Sequence, residues 1–128
     1  MRGKPLTFLK MNAIKFRIWD GQKLIYQNHN GWFERVEIKG YPDLQTITLS
    51  TACNPEHSLA VEQFTTISDK NKTEVYKGDK VLNKGITYKI QFSEGCFVAE
   101  CQEGKKHTIQ SICQEGEVIS NIHQNQKL

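Results

Sequence analysis

Ile86-Thr87-Tyr88-Lys89-Ile90-Gln91-Phe92-Ser93-Glu94-Gly95-Cys96-Phe97-Val98-Ala99-Glu100-Cys101 carries the clearest alternation in the chain. Ile86, Tyr88, Ile90 and Phe92 fall on one side of an extended segment, with Thr87, Lys89, Gln91 and Ser93 on the other. Glu94-Gly95 reverses the chain. Phe97, Ala99 and Cys101 then alternate with Val98, Glu100 and Gln102, and Glu103-Gly104 turns it again. Period-two alternation between Gly-containing turns predicts short antiparallel strands with one buried face.

The same grammar extends in both directions. Ile14, Phe16 and Ile18 alternate with Lys15, Arg17 and Trp19, which predicts that Arg17 and Trp19 point away from the core. Asp20-Gly21 then turns the chain and Lys23–Tyr26 returns as the second arm of a hairpin. Val36 and Ile38 alternate with polar neighbours, Tyr41-Pro42-Asp43 interrupts, and Leu44–Leu49 is a threonine-rich strand candidate. Ser50–Ser58, with Asn54-Pro55, is expected as loop, because proline removes a donor and restricts the residue before it. Val61–Ile67 returns to strand character. Ser68–Thr73 is a polar reversal, and Val75-Tyr76 leads into the turn Lys77-Gly78-Asp79. Thr108–Cys113 fits a strand or a helical turn equally, and Val118–Ile122 closes the pattern. Many short strands with frequent turns predict a mostly-β chain built on a small barrel or sandwich.

Composition sets the frame. A chain of 128 residues is one compact domain or two small lobes, and it needs no disulfide or metal to fold. No apolar run reaches bilayer length, and Met1–Lys10 is too sparsely apolar for a secretory signal, so a cytoplasmic protein is expected. Seventeen basic against fourteen acidic residues give a net charge of +3, too weak an imbalance to demand a nucleic-acid partner. In that setting Cys53, Cys96, Cys101 and Cys113 are expected as reduced thiols. Cys96 and Cys101, five positions apart on one strand, would face opposite ways and could not share a metal.

Three blocks together resemble the YopX family of phage and prophage proteins. They are Ile14-Lys15-Phe16-Arg17-Ile18-Trp19-Asp20, then Gln63-Phe64-Thr65 through Asp69-Lys70-Asn71 to Val75-Tyr76-Lys77-Gly78-Asp79-Lys80-Val81, and finally Val118–Asn125. Their order and spacing fit across nearly the whole chain. The resemblance implies an SH3-like barrel in the C-terminal half with an N-terminal hairpin lobe, and a mobile-element origin. It supplies no activity and no catalytic residue. It also implies that residues 1–11 are an extension, with Met11 a possible start, ahead of one β domain at 12–128 with sub-lobes near 12–62 and 63–128. The family usually has Gly where Thr66, Lys72 and Ser120 stand here. Such glycines permit left-handed backbone, so altered turns are expected at these positions.

Each chemistry-bearing group has an architectural counterpart. Phe16, Arg17, Trp19 and Asp20 could form a binding surface, or Trp19 could pack and Asp20 cap its turn. The second reading is favoured because tryptophans are buried on average. Tyr76 with Gly78 and Asp79 could mark a groove, or a corner in which a buried ring and a turn-bonding carboxylate serve the fold. Cys53-x-x-x-His57, with His107 or His123, lacks the second close pair of a structural zinc site and is read as a thiol beside a surface histidine. As a nucleophile–base pair it lacks an orienting third group. Glu62, Asp69, Glu74 and Asp79 read as solvated acids. Lys70, Lys72, Lys77, Lys80 and Lys84 could track phosphates with Tyr76 and Tyr88 as stacking platforms, but interleaved acids dilute them. The expectation is therefore a non-enzymatic accessory protein without cofactor or metal. It would act through protein contacts or as a homo-oligomer, with a nucleic-acid-binding module as the alternative.

Overall fold

The computed structural model describes residues 14–124. The expected extension at 1–11 and Asn125, the last residue of the closing block, lie outside them. The chain forms two compact units, residues 15–63 and the residues from Phe64 onward. It is mostly β, with 45% of residues in strands and 12% in helices.

In the first unit, β1 (Phe16–Trp19) and β2 (Leu24–Tyr26) form the expected hairpin, with Arg17 opposite Tyr26 and Trp19 opposite Leu24. β3 (Trp32–Phe33) pairs with β4 (Ile47–Thr48) as a two-stranded ladder. Val36 and Ile38 are buried, as their alternation predicts, but they belong to no strand. The neighbouring Arg35 takes a left-handed φ of 63°, which breaks the extended run, and the Val36 amide is satisfied by the Gln45 carbonyl at 2.8 Å.

The expected strand Leu44–Leu49 is likewise cut short. Thr48 caps α1 (Leu49–Ala52), its hydroxyl accepting the Thr51 amide at 3.3 Å. Asn54 caps a 3-10 turn, Pro55–His57, through the Glu56 amide at 2.9 Å. The stretch expected as loop thus holds two helical turns. Pro55 sits at a helix start, where its missing donor costs nothing. β5 (Ala60–Ser68) then runs antiparallel to β1 through its first residues, with Arg17 opposite Glu62. Ile18, Phe33, Val36, Ile38, Ile47 and Ala52 form this unit's core.

In the second unit, β6 (Glu74–Tyr76) pairs with the later part of β5. β7 (Asp79–Asn83), β8 (Ile86–Ser93), β9 (Cys96–Cys101), β10 (Lys106–Thr108) and β11 (Glu117–Asn121) form an antiparallel sheet in the order β10-β9-β8-β7-β11. The open choice at Thr108–Cys113 resolves as a short helix, α2 (Ile109–Gln114). The register confirms the alternation. Val81 faces Tyr88 and Ile90 faces Ala99 on the core side, where Ile109 and Cys113 of α2 also pack. Cys101 packs against this core whereas Cys96 is exposed, as five positions along one strand require.

Thr66 and Lys72, where the resemblance places glycine, take the backbone region that glycine favours. Both residues keep left-handed backbone, with φ of 73° and 70°. Thr66 sits in an irregular step of the β5–β6 ladder, between the pairs Phe64–Tyr76 and Ser68–Glu74. The Thr65 hydroxyl closes that step by donating to the Val75 carbonyl at 2.8 Å and accepting the Ile67 amide at 3.2 Å. Position 120 is different: Ser120 is not among the left-handed residues and lies beside the bulge in β11. A β-branched residue at positive φ is strained by roughly 1–2 kcal/mol, partly offset in glycine by its larger unfolded-state entropy. Thr66 is exposed, so Thr66→Gly loses little packing. It is expected to stabilise the protein by about 1 kcal/mol, read as a higher urea midpoint at unchanged slope.

Candidate functional site

Of the side chains that the sequence offered as a surface, the structure buries Arg17 fully. Arg17 and Glu62, cross-strand neighbours on β1 and β5, are only 2% and 3% exposed. The Arg17 Nε–H donates to Glu62 Oε1 at 2.7 Å, and Nη1 reaches the Tyr26 hydroxyl at 3.4 Å. Arg17 therefore does not project into solvent, and Glu62 is not a solvated acid. The alternation is right, but both faces of β1 are covered, since Ile18 on the opposite side is also fully buried. Phe16 and Trp19 are half-buried.

Asp20 caps its turn. Its Oδ1 accepts the Gln22 and Lys23 amides, both at 3.0 Å, and its Oδ2 takes the Lys23 ammonium at 3.0 Å and the Glu37 amide at 3.1 Å. Burial opposes its ionisation, but the Lys23 ammonium and the three amides outweigh that and hold the carboxyl below its ordinary value.

Two more carboxylates expected in solvent prove to be buried fasteners. Asp69 Oδ1 accepts the Asn71 and Thr73 amides at 2.8 and 2.9 Å, closing the turn after β5. Its Oδ2 accepts the Val118 amide at 2.9 Å, which ties that turn to β11. Asp79 Oδ2 accepts the Tyr76 amide at 2.8 Å across the Lys77-Gly78 turn. Gly78, at φ 94°, donates its amide to the Ile90 carbonyl at 2.8 Å and accepts the Ile122 amide at 2.9 Å, so this corner joins β8 to the end of β11. The Tyr76 ring is buried against Phe64, and its hydroxyl donates to Glu74 Oε1 at 3.3 Å. Glu74 itself is half-buried.

His57 is buried, not a surface histidine. Its Nδ1 faces the Thr51 carbonyl at 3.2 Å and its ring meets Tyr41 edge-on, while Cys53 is exposed. His107 packs edge-on against Tyr88. Among the described residues no group of three or more His, Cys, Asp or Glu side chains could hold a metal ion. Tyr76 and Tyr88, only 2% and 7% exposed, cannot serve as stacking platforms. Lys70, Lys72 and Lys84 lie exposed in turns, Lys77 in the corner and Lys80 on β7.

Cys113 illustrates the same commitment to structure. Burial first, then the charges of Asp79 and Asp69, push its thiol from 9.0 up to about 12. The unfolded chain would release this proton near pH 9 and the folded chain only near 12. The corresponding stability is therefore complete below pH 9 and lost between 9 and about 12. In the native protein at neutral pH, the exposed Cys53 and Cys96 are expected to react with a thiol reagent within minutes. Cys113 is expected to react only at the rate of unfolding, as peptide mapping of the labelled protein would show.

Among the accessible features of the described residues are several open grooves and the edges of the five-stranded sheet. A groove of about 490 Å³ in the first unit is lined by Asp20, Gln22, Glu37, Lys39 and Tyr41 among others. A groove of about 500 Å³ lies over β7, β8 and β9 in the second. The two edge strands of the five-stranded sheet differ. β10 is three exposed residues, Lys106, His107 and Thr108, whereas β11 presents Ile119, 48% exposed, and is followed by Ile122, 38% exposed. The alternation at Val118–Ile122 locates β11 correctly but could not show that it ends a sheet.

No helix among the described residues is long and apolar enough to cross a membrane. No curated protein matches the chain. The chain is similar in structure to protein EF1440 from Enterococcus faecalis, with a TM-score of 0.59 over 90% of this chain and 96% of that one. At 20% identity this likeness speaks for the fold alone. The family model described as YopX protein matches residues 15–128, from the strand that carries Arg17 to the end of the sequence. This protein belongs to the YopX family.

Proposed function

We propose that this is a non-enzymatic accessory protein of phage or prophage origin, working in the bacterial cytoplasm, that acts by protein–protein contact and associates with itself through β11. The observation that carries this reading is the asymmetry of the sheet edges. Short, charged edges resist pairing with another chain, and β10 fits that description. β11 is longer, shows Ile119 to solvent and is followed by the partly exposed Ile122, an apolar edge of the kind a two-fold symmetric pair can bury. The fate of Arg17, Glu62, Asp69 and Asp79 points the same way, because each is spent on holding backbone or on a buried ion pair.

The finer fold reading rests on topology. Counted from β7, the five strands run 5-1-2-3-4 across the sheet, with a short helix before the fifth, and α2 packs on β7, β9, β10 and β11. That order supports an SH3-like barrel over the C-terminal half. Mobile-element origin is what the family resemblance implies.

Light scattering tests the proposal. The wild-type protein is expected to be a dimer or larger at micromolar concentration, and Ile119→Lys a monomer with unchanged circular dichroism. A wild-type protein that stays monomeric at every concentration would overturn it.

A further inference from the structure

We infer that the outer face of the five-stranded sheet is a phosphate-binding groove in which Lys80 and Lys89 clamp one phosphate group. The registers of four successive strand pairs place Ser120, Lys80, Lys89, Glu100 and Lys106 in one row across all five strands. The core-side pairs are Val81–Tyr88 and Ile90–Ala99, so this row lies on the face turned away from the core. Lys80 and Lys89 are directly opposed. Like charges in facing positions repel at the short separation of a cross-strand pair, and an anion between them turns that repulsion into attraction.

Neither lysine has an ion-pair or side-chain hydrogen-bond partner among the described residues. Glu100, the one carboxylate among the lining residues, faces Lys89 on one side and Lys106 on the other, and accepts the Gln91 amide at 3.1 Å, so one acid stands against the three lysines of the row. Glu117 faces Leu82 at the β11 edge. The Lys80 side of the row is therefore left with a net positive field.

The groove here, about 500 Å³, is of the size that takes a small ligand. Besides the two lysines it is lined by Thr87, Gln91 and Gln102, which offer uncharged donors suited to phosphate oxygens. No aromatic ring lines it. The ligand is therefore recognised through its phosphate, with no preference among bases, and it is either a free phosphate ester or the phosphodiester backbone of a single strand.

The test uses the intact protein with three probes: inorganic phosphate, thymidine monophosphate and an oligothymidylate. At low salt, phosphate is expected to raise the melting temperature of the wild-type protein above that in chloride at matched ionic strength. It should also shift the amide resonances of Lys80, Lys89 and Gln91. Lys80→Gln/Lys89→Gln is expected to lose both effects and to weaken nucleotide binding at least tenfold. Its slope of log affinity against log salt for the oligonucleotide should fall by about 0.7, the value for the one phosphate that the two lysines no longer neutralise. Lys70→Gln/Lys72→Gln, in the turn after β5, should bind as wild type. Oligonucleotide binding much tighter than mononucleotide binding assigns the groove to a strand, and equal binding assigns it to a free ester. Unaltered binding in the Lys80/Lys89 variant, or no binding of any probe at low salt, overturns the inference.

Discussion

Replacing Glu62 by Gln is expected to destabilise the unit formed by residues 15–63 by about 3–5 kcal/mol, the usual cost of removing one member of a buried ion pair. The substitution keeps shape and volume but deprives the Arg17 guanidinium, 2% exposed, of the carboxylate 2.7 Å away. A charge that has left water needs a counter-charge in the same low-dielectric surroundings, and an amide supplies only a dipole. The pair also bridges β1 and β5 at facing positions, so its loss weakens the ladder that joins them. Replacing both partners, as in Arg17→Met/Glu62→Leu, removes the charges together and is expected to recover most of the loss. The chain's two tryptophans, Trp19 and Trp32, both lie within residues 15–63, so urea unfolding followed by tryptophan fluorescence reports on this unit. Glu62→Gln should move the midpoint far down and the double variant should move it back. An unchanged midpoint in the single variant would mean that the pair contributes nothing net.

Gly116→Ala is expected to cost about 3 kcal/mol, at the upper end of what one inserted methyl does in a tight core. Gly116 needs no left-handed backbone; its constraint is space. A Cβ there would lie 2.6 Å from the Ile112 carbonyl oxygen, 2.7 Å from Val81 Cγ1 and 2.9 Å from the Leu82 carbonyl oxygen. Two of the three are backbone atoms that cannot swing aside, and the third belongs to a fully buried residue. Any shift of Ile112 also disturbs its hydrogen bond from the Asn83 amide at 2.8 Å, and any shift of Gly116 disturbs its bond from the Lys70 amide at 3.1 Å. Gly104→Ala is the control. It meets nothing within 4 Å and has only its φ of 87° to bear, so about 1 kcal/mol is expected. Thermal unfolding by far-ultraviolet circular dichroism should show the larger drop for Gly116→Ala. Equal drops would place the cost in backbone flexibility and not in packing.

The sheets are legible wherever alternation runs long. Ile86–Ser93 and Cys96–Cys101 emerge as strands because parity sets which side each residue faces, although only Tyr88, Ile90 and Ala99 are fully covered and Ile86 and Phe92, on the same side near the strand ends, stay 48% and 51% exposed. Val36 and Ile38 show the limit: parity predicts their burial but not whether a partner strand lies alongside, and none does. Of the expected strand Leu44–Leu49 only Ile47–Thr48 forms, because Thr48 caps the helix that starts at Leu49, a local signal that outweighs threonine's strand preference over so few residues.

Asp69 and Asp79 are recognisable as turn residues, and their turn bonds are local, as from the Tyr76 amide to Asp79; what no local signal shows is a long-range bond such as that from the Val118 amide to Asp69. Arg17 and Glu62 are 45 positions apart, and nothing local marks them as a pair. Gly116 stands in a polar run, Gln114-Glu115-Gly116-Glu117, with nothing to show that β7 passes beneath it. The family pattern locates the left-handed positions at Thr66 and Lys72. Both residues adopt that conformation without glycine, and the Thr65 hydroxyl bonds across the irregular step in which Thr66 sits.

Amide hydrogen exchange of the wild-type protein at two concentrations is the most direct test of an occupied β11 edge. Within β11 the amides that face away from β7, other than that of Val118, which Asp69 already holds, should become better protected as concentration rises, while those of Lys106, His107 and Thr108 on the opposite edge should not change. Exchange of those β11 amides that is the same at both concentrations would contradict self-association through this strand.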